Sequence, residues 1–242
     1  MHTRDYLDKM RDGTMTPEDV RQLELPWSRE MVEAFRLMVG GTVRAAESAL
    51  SNAHVAIHIG GGLHHAFPNH GEGFCPFNDV AVAARALQRR GLERIAIVDL
   101  DVHHGNGTAF IFESDAHVFT FSMHQQHNYP MWKPKGTLDI GLADGTDDEA
   151  YLGELRRALP QVIAHQPECL FYLAGADPYE DDQLGGLKLT RDGLRRRDRL
   201  VIEAARGAEI SLVITLAGGY ARRVEDTVAI HAATIDEALR VC

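Results

Sequence analysis

The stretch RIAIVDLDVHHGNGT (residues 94–108) joins an apolar run to a cluster of ionisable side chains. Its first part, RIAIVDL (94–100), has the β-branched, apolar composition of a buried parallel strand. Asp99, Asp101, His103 and His104 then follow within six residues. Because burying an unpaired charge costs several kcal/mol, this strand end is expected to hold a partner that offsets these groups.

Four further runs have the same composition and predict further buried strands, HVAIHI (54–59), HVFTFSM (117–123), ECLFYLA (168–174) and ISLVITLA (210–217). Segments with helical spacing alternate with them, at 29–50, 78–90, 147–165, 191–206 and 222–240. This alternation predicts an α/β fold with a parallel sheet and right-handed crossovers. The chain shows no internal repeat or linker, so residues 1–242 are expected to form a single domain.

Composition limits the class of protein. The 242 residues are 45% hydrophobic, which suits one domain with a sizeable core. The net charge is −10 and no basic stripe is present, so a nucleic-acid partner is not expected. No segment is long and apolar enough to suggest a membrane partner. The three cysteines, Cys75, Cys169 and Cys242, are too widely spaced for a disulfide framework and indicate a reducing, cytoplasmic location.

Each predicted strand runs into a polar or glycine-rich cluster at its carboxyl end. The clusters are GGGLHH (60–65), DLDVHHG (99–105), SMH (122–124), GAD (175–177) and GGY (218–220). Open parallel sheets bind ligands beyond the carboxyl ends of their strands. The sequence therefore predicts that these clusters form one site.

A metal is the partner that these residue types favour. Asp101 and His103 are two positions apart, so their side chains leave an extended segment on the same side. Asp177 adds a third ligand from another strand end. Three mixed nitrogen and oxygen ligands with an open position are typical of a catalytic zinc or iron(II) site. The alternative is that Asp101 and His103 cap the next helix and Asp177 forms a turn with Pro178.

Two further elements suggest hydrolysis of an amide. His64 and His65 follow three glycines, and paired imidazoles suit proton transfer, although a solvated loop is the alternative. Tyr220 follows two glycines and is placed to donate to a developing oxyanion, unless it is a core or rim residue. Phe74 and Tyr129 lie in loops near the same edge and either line a channel or are simply packed.

The motifs GGGLHHA, GFCPFNDVAVA, DLDVHHGNGT, AGADPYEDDQLGGL and AGGY, in this order, resemble the zinc-dependent histone deacetylase family. The resemblance implies an arginase/deacetylase-like fold, in which helices cover both faces of a mostly parallel sheet in three layers. PWS (26–28), VGGT (39–42), LGGL (184–187) and the short GGY resemble its class IV branch and bacterial relatives.

The resemblance also implies roles for single residues. Zinc would be held by Asp101, His103 and Asp177, with iron(II) as the alternative metal. His65 would be the general base, His64 its partner on Asp99, and Tyr220 the group that polarises the carbonyl. A structural potassium would be held by Asp99, Ser122 and the carbonyls of Asp101, His103 and Met123. Gly73, Phe74 and Tyr129 would line the channel for an acylated lysine or another acylated amine.

Two departures from the family pattern matter. Asn106 stands where some members carry an aspartate, and its missing charge is expected to lower the pKa of His65. The segment HTRDYLDKM (2–10) resembles the part that follows the family's usual amino-terminal region, which this chain is expected to lack. HVAIHI (54–59) would then be an exposed edge strand, and a homo-oligomer or reduced stability is expected.

Several functions remain open at this point. The leading interpretation is a deacylase of lysine side chains, and the same chemistry on a small molecule such as an acetylpolyamine is a close rival. An arginase-type enzyme would need two manganese ions, and DVHHG (101–105) offers no second carboxylate-rich ligand set. A non-catalytic module that binds acyl-lysine is the third alternative.

Overall fold

The computed structural model describes residues 1–241, so Cys242 lies outside the described residues. Its centre is one parallel sheet with the strand order β1-β6-β5-β2-β3-β4. The strands are β1 (Val55–His58), β2 (Ile95–Asp99), β3 (Val118–Gln125), β4 (Leu138–Leu142), β5 (Cys169–Leu173) and β6 (Ser211–Thr215). This arrangement confirms the predicted α/β fold class.

The helices are α1 (Arg4–Asp12), α2 (Pro17–Leu23), α3 (Arg29–Ser48), α4 (Asp79–Gln88), α5 (Asn106–Phe112), α6 (Asp148–Ala164), α7 (Arg191–Gly207) and α8 (Val224–Val241). A π-helical turn, Ala49–Ala53, extends α3. Six of the helices, α1 to α4, α6 and α7, begin at a side chain that satisfies a free backbone N–H group. For example, Ser28 accepts from the N–H of Met31 at the start of α3.

Helices cover both faces of the sheet, which gives three layers. Because successive strand side chains point to opposite faces, Val98, Tyr172 and Ile214 pack with α6, α7 and α8 in one buried cluster. Their neighbours Ile97 and Phe171 pack with α3 and α4 in a second. The polar carboxyl ends of the strands are left free to form a site.

The sequence analysis missed several short elements. Strand β4 alternates between partly buried and exposed residues at the edge of the sheet, so it lacks a continuous apolar run. Helix α1 is strongly polar and buries only Tyr6 and Met10, while α2 and α5 have seven residues each. Short or polar elements of this kind take their conformation from tertiary packing more than from local pattern.

Strand β1 forms one edge of the sheet. Within residues 1–241 it pairs only with β6, and its four residues are partly buried because α3 packs beside them. Ile59, directly after the strand, is 77% exposed. The run HVAIHI therefore ends in an apolar side chain beside an unpaired strand edge.

Two findings bear on the expected surroundings of the protein. Among residues 1–241, none of the helices combines the length and the apolar character that a membrane crossing requires. Cys75 and Cys169 are buried free thiols.

Candidate active site

Four of the five strand-end clusters meet around one cavity of about 380 Å³. Those that follow β1, β2, β5 and β6 line it, and the cluster at the end of β3 does not. The predicted site residues in its lining are His64, His65, Gly73, Phe74, Asp101, His103, Tyr129, Asp177 and Tyr220. Glu24, directly after α2, and Phe35 on α3 also line it.

Asp101, His103 and Asp177 converge at this cavity. One ligand atom from each lies within 4.8 Å of the others. Nδ1 of His103 is 3.1 Å from Oδ1 of Asp101 and 3.4 Å from Oδ2 of Asp177. That Oδ2 atom is buried and accepts no hydrogen bond from the residues that the structure describes. A buried carboxylate oxygen normally has a hydrogen-bond partner. An oxygen without one is free to coordinate a metal ion.

The charges of the three residues also favour a cation. Burial and the charge of Asp101 raise the pKa of Asp177 to about 7. Burial lowers the pKa of His103, but Asp101 and Asp177 outweigh it and raise that pKa to about 10. Without a metal, the His103 imidazole therefore keeps its proton between the carboxylates of Asp101 and Asp177. The residues fit a divalent metal, which would replace that positive charge.

The backbone around the three ligands leaves no room for additional side chains. A Cβ on Gly218 would lie 2.7 Å from Oδ2 of Asp177 and 2.8 Å from Oδ2 of Asp101. The N–H of Gly218 donates to Asp101 at 3.2 Å, and the N–H of Val102 donates to Asp177 at 2.9 Å. These backbone donors hold the carboxylates in place, so the site is built before any ion binds.

The imidazoles of His64 and His65 form a buried pair with different partners. Nδ1 of His64 is 2.6 Å from Oδ2 of Asp99, and Nδ1 of His65 is 2.7 Å from Oδ1 of Asn106. The two Nε2 atoms are 3.0 Å apart. In each imidazole, Nδ1 therefore faces an acceptor and Nε2 faces the other imidazole.

Their surroundings drive the two imidazoles to opposite protonation states. Burial lowers the pKa of His64, but Asp99 and Asp101 outweigh it and raise that pKa to about 9. Burial, reinforced by the positive charge of His64, lowers the pKa of His65 well below its ordinary value. At neutral pH the pair therefore contains one cation and one neutral base, which is a usual arrangement for separate acid and base roles.

The sequence analysis missed the residues that hold the Gly-rich loop. Asp79, at the start of α4, accepts from the N–H groups of Gly62 at 3.1 Å and Leu63 at 2.7 Å. Asn78 caps α4 and donates to the carbonyls of His64 and Ala66 at 3.4 and 3.3 Å. In the sequence these two residues are the polar pair directly after GFCPF. That they also hold the Gly-rich loop is visible only in the folded structure.

Tyr220 lies in the cavity with its side chain partly exposed. Its N–H donates to Oδ2 of Asp182 at 2.6 Å, and Oδ1 of Asp182 accepts from the N–H groups of Leu184 and Gly185. Asp182 was also missed, although it stands in the acidic stretch EDDQLGGL. Burial raises the pKa of Tyr220, so its hydroxyl remains a hydrogen-bond donor at neutral pH.

Three predicted channel residues lie together in the cavity wall. Gly73 has φ +51°, and a Cβ there would lie 2.8 Å from the ring of His65. The ring of Tyr129 is 5.0 Å from that of His65, and the ring of Phe74 is 6.2 Å from that of Tyr220. Gly73 therefore allows the aromatic wall to approach the imidazole pair.

The residues predicted to hold a second cation lie behind this cavity. Asp99 on β2 is the register partner of Ser122 on β3, and both border a space of about 10 Å³. Oδ1 of Asp99 accepts from the N–H of Asp101, while Oγ of Ser122 is 3.0 Å from Nδ1 of His124. Met123 is fully buried beside them. The assignment of potassium to this place stays a prediction.

Arg197 supports the site from below, and no sequence pattern had marked it. Its side chain is fully buried on α7. Nη1 donates to the carbonyls of Gly175 at 2.6 Å and Leu100 at 3.3 Å, while Asp198 accepts from the other nitrogens. The guanidinium thus links the carboxyl ends of β2 and β5, which carry the three candidate ligands.

The chain is similar to several known proteins. A family model described as "Histone deacetylase domain" matches residues 1–235. An uncharacterised protein of Picosynechococcus sp. is 45% identical over 96% of this chain and 77% of its own length. Histone deacetylase 2 of Arabidopsis thaliana is 32% identical over 94% of this chain and 62% of its own length.

A third relative, the acetoin utilization protein AcuC of Bacillus subtilis, is 32% identical over 78% of this chain and 55% of its own length. The chain therefore spans between about half and two thirds of the length of these two named relatives. The similarity covers all five motifs, since the matched residues run from Met1 to Ile235.

Proposed function

The chain belongs to the histone deacetylase family, and from this premise we propose that it is a zinc-dependent deacylase that acts on the Nε-amide of acylated lysine. Membership makes it a hydrolase of amide bonds. The observation that carries the finer proposal is the meeting of three ligand atoms, an imidazole pair and a phenol at one cavity.

Asp101, His103 and Asp177 would hold the zinc ion. When bound there, zinc would polarise the scissile carbonyl and lower the pKa of a water molecule. The neutral His65 would take the proton from that water at Nε2, since its Nδ1 faces Oδ1 of Asn106. The cationic His64 holds a proton that it can give to the leaving amine.

Tyr220 would donate its hydroxyl proton in a hydrogen bond to the oxygen on which negative charge develops. The N–H contact with Asp182 fixes the backbone from which this phenol projects. Phe74 and Tyr129 line the cavity and offer aromatic surface to the aliphatic chain of a lysine. With a substrate chain between them, these walls would exclude water from the reacting atoms, which would strengthen each of these electrostatic contacts.

We further propose a structural potassium between Asp99 and Ser122, since both residues border the same small space and offer oxygen atoms to a cation. Iron(II) is the alternative catalytic metal, because the ligand set of one nitrogen and two oxygens suits either ion.

The test is hydrolysis of fluorogenic acetyl-lysine and trifluoroacetyl-lysine peptides, with zinc quantified in the same sample. We expect about one zinc per chain and turnover of at least one peptide. Tyr220→Phe should lower kcat by about 10²–10³-fold, the usual loss for one oxyanion donor, with little change in KM.

Zinc binding with no turnover of either peptide would contradict the lysine substrate and direct attention to acylated small molecules such as acetylpolyamines. Binding of an acylated peptide without hydrolysis would instead indicate a non-catalytic module. A protein without zinc affinity would contradict the assignment of Asp101, His103 and Asp177.

A further inference from the structure

Glu72 lies behind the imidazole pair and has no part in the mechanism above. Its side chain is 14% exposed, and its Oε1 accepts from Nδ2 of Asn106 at 2.6 Å. Its Oε2 accepts from Nε2 of Gln22 at 3.2 Å and lies 3.5 Å from Nε2 of His70. Each carboxylate oxygen therefore accepts a hydrogen bond from a distant segment of the chain, one from α5 and the other from α2.

The backbone of Glu72 is held as firmly as its side chain. Its N–H donates to the carbonyl of Cys75 at 3.2 Å, and its carbonyl accepts from the N–H of Cys75 at 2.9 Å. This small bridge closes the loop GEGFC (71–75), and the N–H groups of Gly73 and Phe74 donate to carbonyls of α2 at 3.2 and 2.9 Å. Glu72 is thus a fixed acceptor against which the amide of Asn106 must arrange itself.

The chemistry of the two groups sets the orientation of that amide. An ionised carboxylate only accepts hydrogen bonds, whereas an amide both donates and accepts. The NH₂ of Asn106 must therefore face Glu72, which turns Oδ1 of Asn106 toward Nδ1 of His65 at 2.7 Å. An acceptor at that distance requires the hydrogen of His65 on Nδ1 and leaves Nε2 as the basic nitrogen.

We propose that Glu72 is a positioning residue, which fixes the tautomer of His65 through the amide of Asn106. The inference rests on the proposed function in one respect, because only a general base needs an Nε2 that carries no hydrogen. This role explains why the ionised side chain of Glu72 is held at a place where it contacts no reacting group.

The ionisation of Glu72 is consistent with this arrangement. Burial raises the pKa of Glu72, but contacts with His70, Asn106, Gln22 and Tyr129 together outweigh it and lower that pKa. The side chain is therefore an anion at neutral pH and cannot act as a donor toward Asn106.

A cycle of two substitutions tests the relay. Glu72→Gln allows the new amide to donate to Asn106, so the Asn106 amide can turn and the tautomer of His65 is no longer fixed. We expect kcat to fall by about 10- to 100-fold, part of the roughly 10²–10⁴-fold that a general base contributes, with KM nearly unchanged. Asn106→Asp places two carboxylates in contact and should also lower kcat, because one of them must protonate or move.

The double variant E72Q/N106D should be more active than either single variant. The introduced glutamine amide would donate to the introduced carboxylate, whose second oxygen accepts from Nδ1 of His65, so every contact is restored with the same net charge. Two structural defects would add their losses instead of compensating. Glu18→Gln, the same chemical change at an exposed position of α2, is the matched control and should leave kcat unchanged.

A measurement independent of turnover separates this inference from the proposed function. The ¹⁵N shifts of His65 in histidine-labelled, zinc-loaded protein, assigned with a His65→Gln variant, should show hydrogen on Nδ1 in the wild type and in E72Q/N106D. They should show a mixture of tautomers in E72Q. This pattern in a protein without deacylase activity would support the relay and contradict the proposed function alone.

Two results would overturn the inference. One is a wild-type His65 with its hydrogen on Nε2, which can be observed even if E72Q does not fold. The other is an E72Q variant that folds with unchanged kcat and an unchanged His65 tautomer. Thermal unfolding of each variant shows whether a lost activity reflects lost structure.

Discussion

Asp177 illustrates how a single atom defines the chemistry of the cavity. Its Oδ1 atom accepts from the backbone of Val102, while its buried Oδ2 atom has no donor among residues 1–241. The burial of this oxygen is costly for the free protein, because a buried acceptor without a partner is destabilising. The protonated His103, whose Nδ1 lies 3.4 Å from this oxygen, offsets part of the cost, and a bound divalent cation would offset more, so the residue serves binding at the expense of stability.

We therefore expect Asp177→Asn to weaken zinc binding by more than the roughly 10–100-fold typical of changes outside the ligand set. The metal-free variant should be as stable as the wild type or more stable, since a buried charge is removed. A competition titration with a fluorescent chelator measures the first effect, and thermal unfolding in EDTA the second. Asp181→Asn, at a more exposed carboxylate beside Arg222, is the control, and equal zinc affinity in D177N would contradict the ligand assignment.

At this scale, the sequence indicated the residues that point into the cavity but not those that hold them. Asp101, His103 and Asp177 are carboxylates and an imidazole that follow buried apolar strands. The sequence next to each residue therefore indicates its place at a strand end. Asp79 and Asp182 act by accepting N–H groups from loops far away in sequence. No spacing rule distinguishes such a carboxylate from one in solvent, so only the folded chain shows its role.

Helices α7 and α8 are joined by a carboxylate that is buried between them. Glu237 accepts from Arg199 at 2.8 Å and from Arg195 on the same neighbouring helix, and it is almost completely buried. The hydrogen bond with Arg199 lowers the pKa of Glu237 from 4.5 to about 2. Because the anion is the form that the folded state favours, this contact stabilises the protein at neutral pH.

The sign of its pH dependence follows from that shift. The contribution of Glu237 is complete above pH 4.5 and is lost as pH falls through about 2. We expect Glu237→Gln to lower the free energy of unfolding by about 1–3 kcal/mol at pH 7, as for hydrogen bonds to charged groups. The difference from the wild type should shrink steadily between pH 5 and about 2.5, as the native carboxylate gains its proton.

Urea unfolding at several pH values measures this difference. Glu203→Gln, an exposed change on α7, should show no such trend. A difference between E237Q and the wild type that stays constant down to the lowest pH would show that lost packing, and not lost charge, causes the effect.

The elements that were predictable are those with a continuous apolar run. Strands β2, β5 and most of β6 are buried on both faces, so nearly every residue is apolar and the run is visible in the sequence. Strand β4 lies at the other edge of the sheet, and Leu142 is its only buried residue. Its place is decided by pairing with β3, which is a relation between distant segments.

The whole molecule presents an open strand edge at β1, since the neighbouring place in the sheet holds no strand within residues 1–241. Unpaired backbone groups beside the exposed Ile59 favour pairing with another chain. The homo-oligomer expected from the sequence therefore stays a prediction, and the edge of β1 is the surface through which it would form.

We expect the protein to associate with rising concentration and Ile59→Lys to shift it toward the mass of one chain. Light scattering over a concentration series measures both. Val224→Lys changes another largely exposed apolar residue, at the start of α8, and should not alter the mass. A wild-type protein with the mass of one chain at every concentration would contradict the prediction.

Arg197 limits how this protein can vary during evolution. Its guanidinium satisfies two strand ends and Asp198 in a space without solvent, and neither a lysine nor an apolar residue offers a fork of donors in that plane. In a library of all substitutions, position 197 should therefore tolerate nothing but arginine, although it touches no substrate. Selection for catalysis would act there as selection for correct folding, so a substitution at this position would lower activity through lost structure and not through a changed preference for the acyl group.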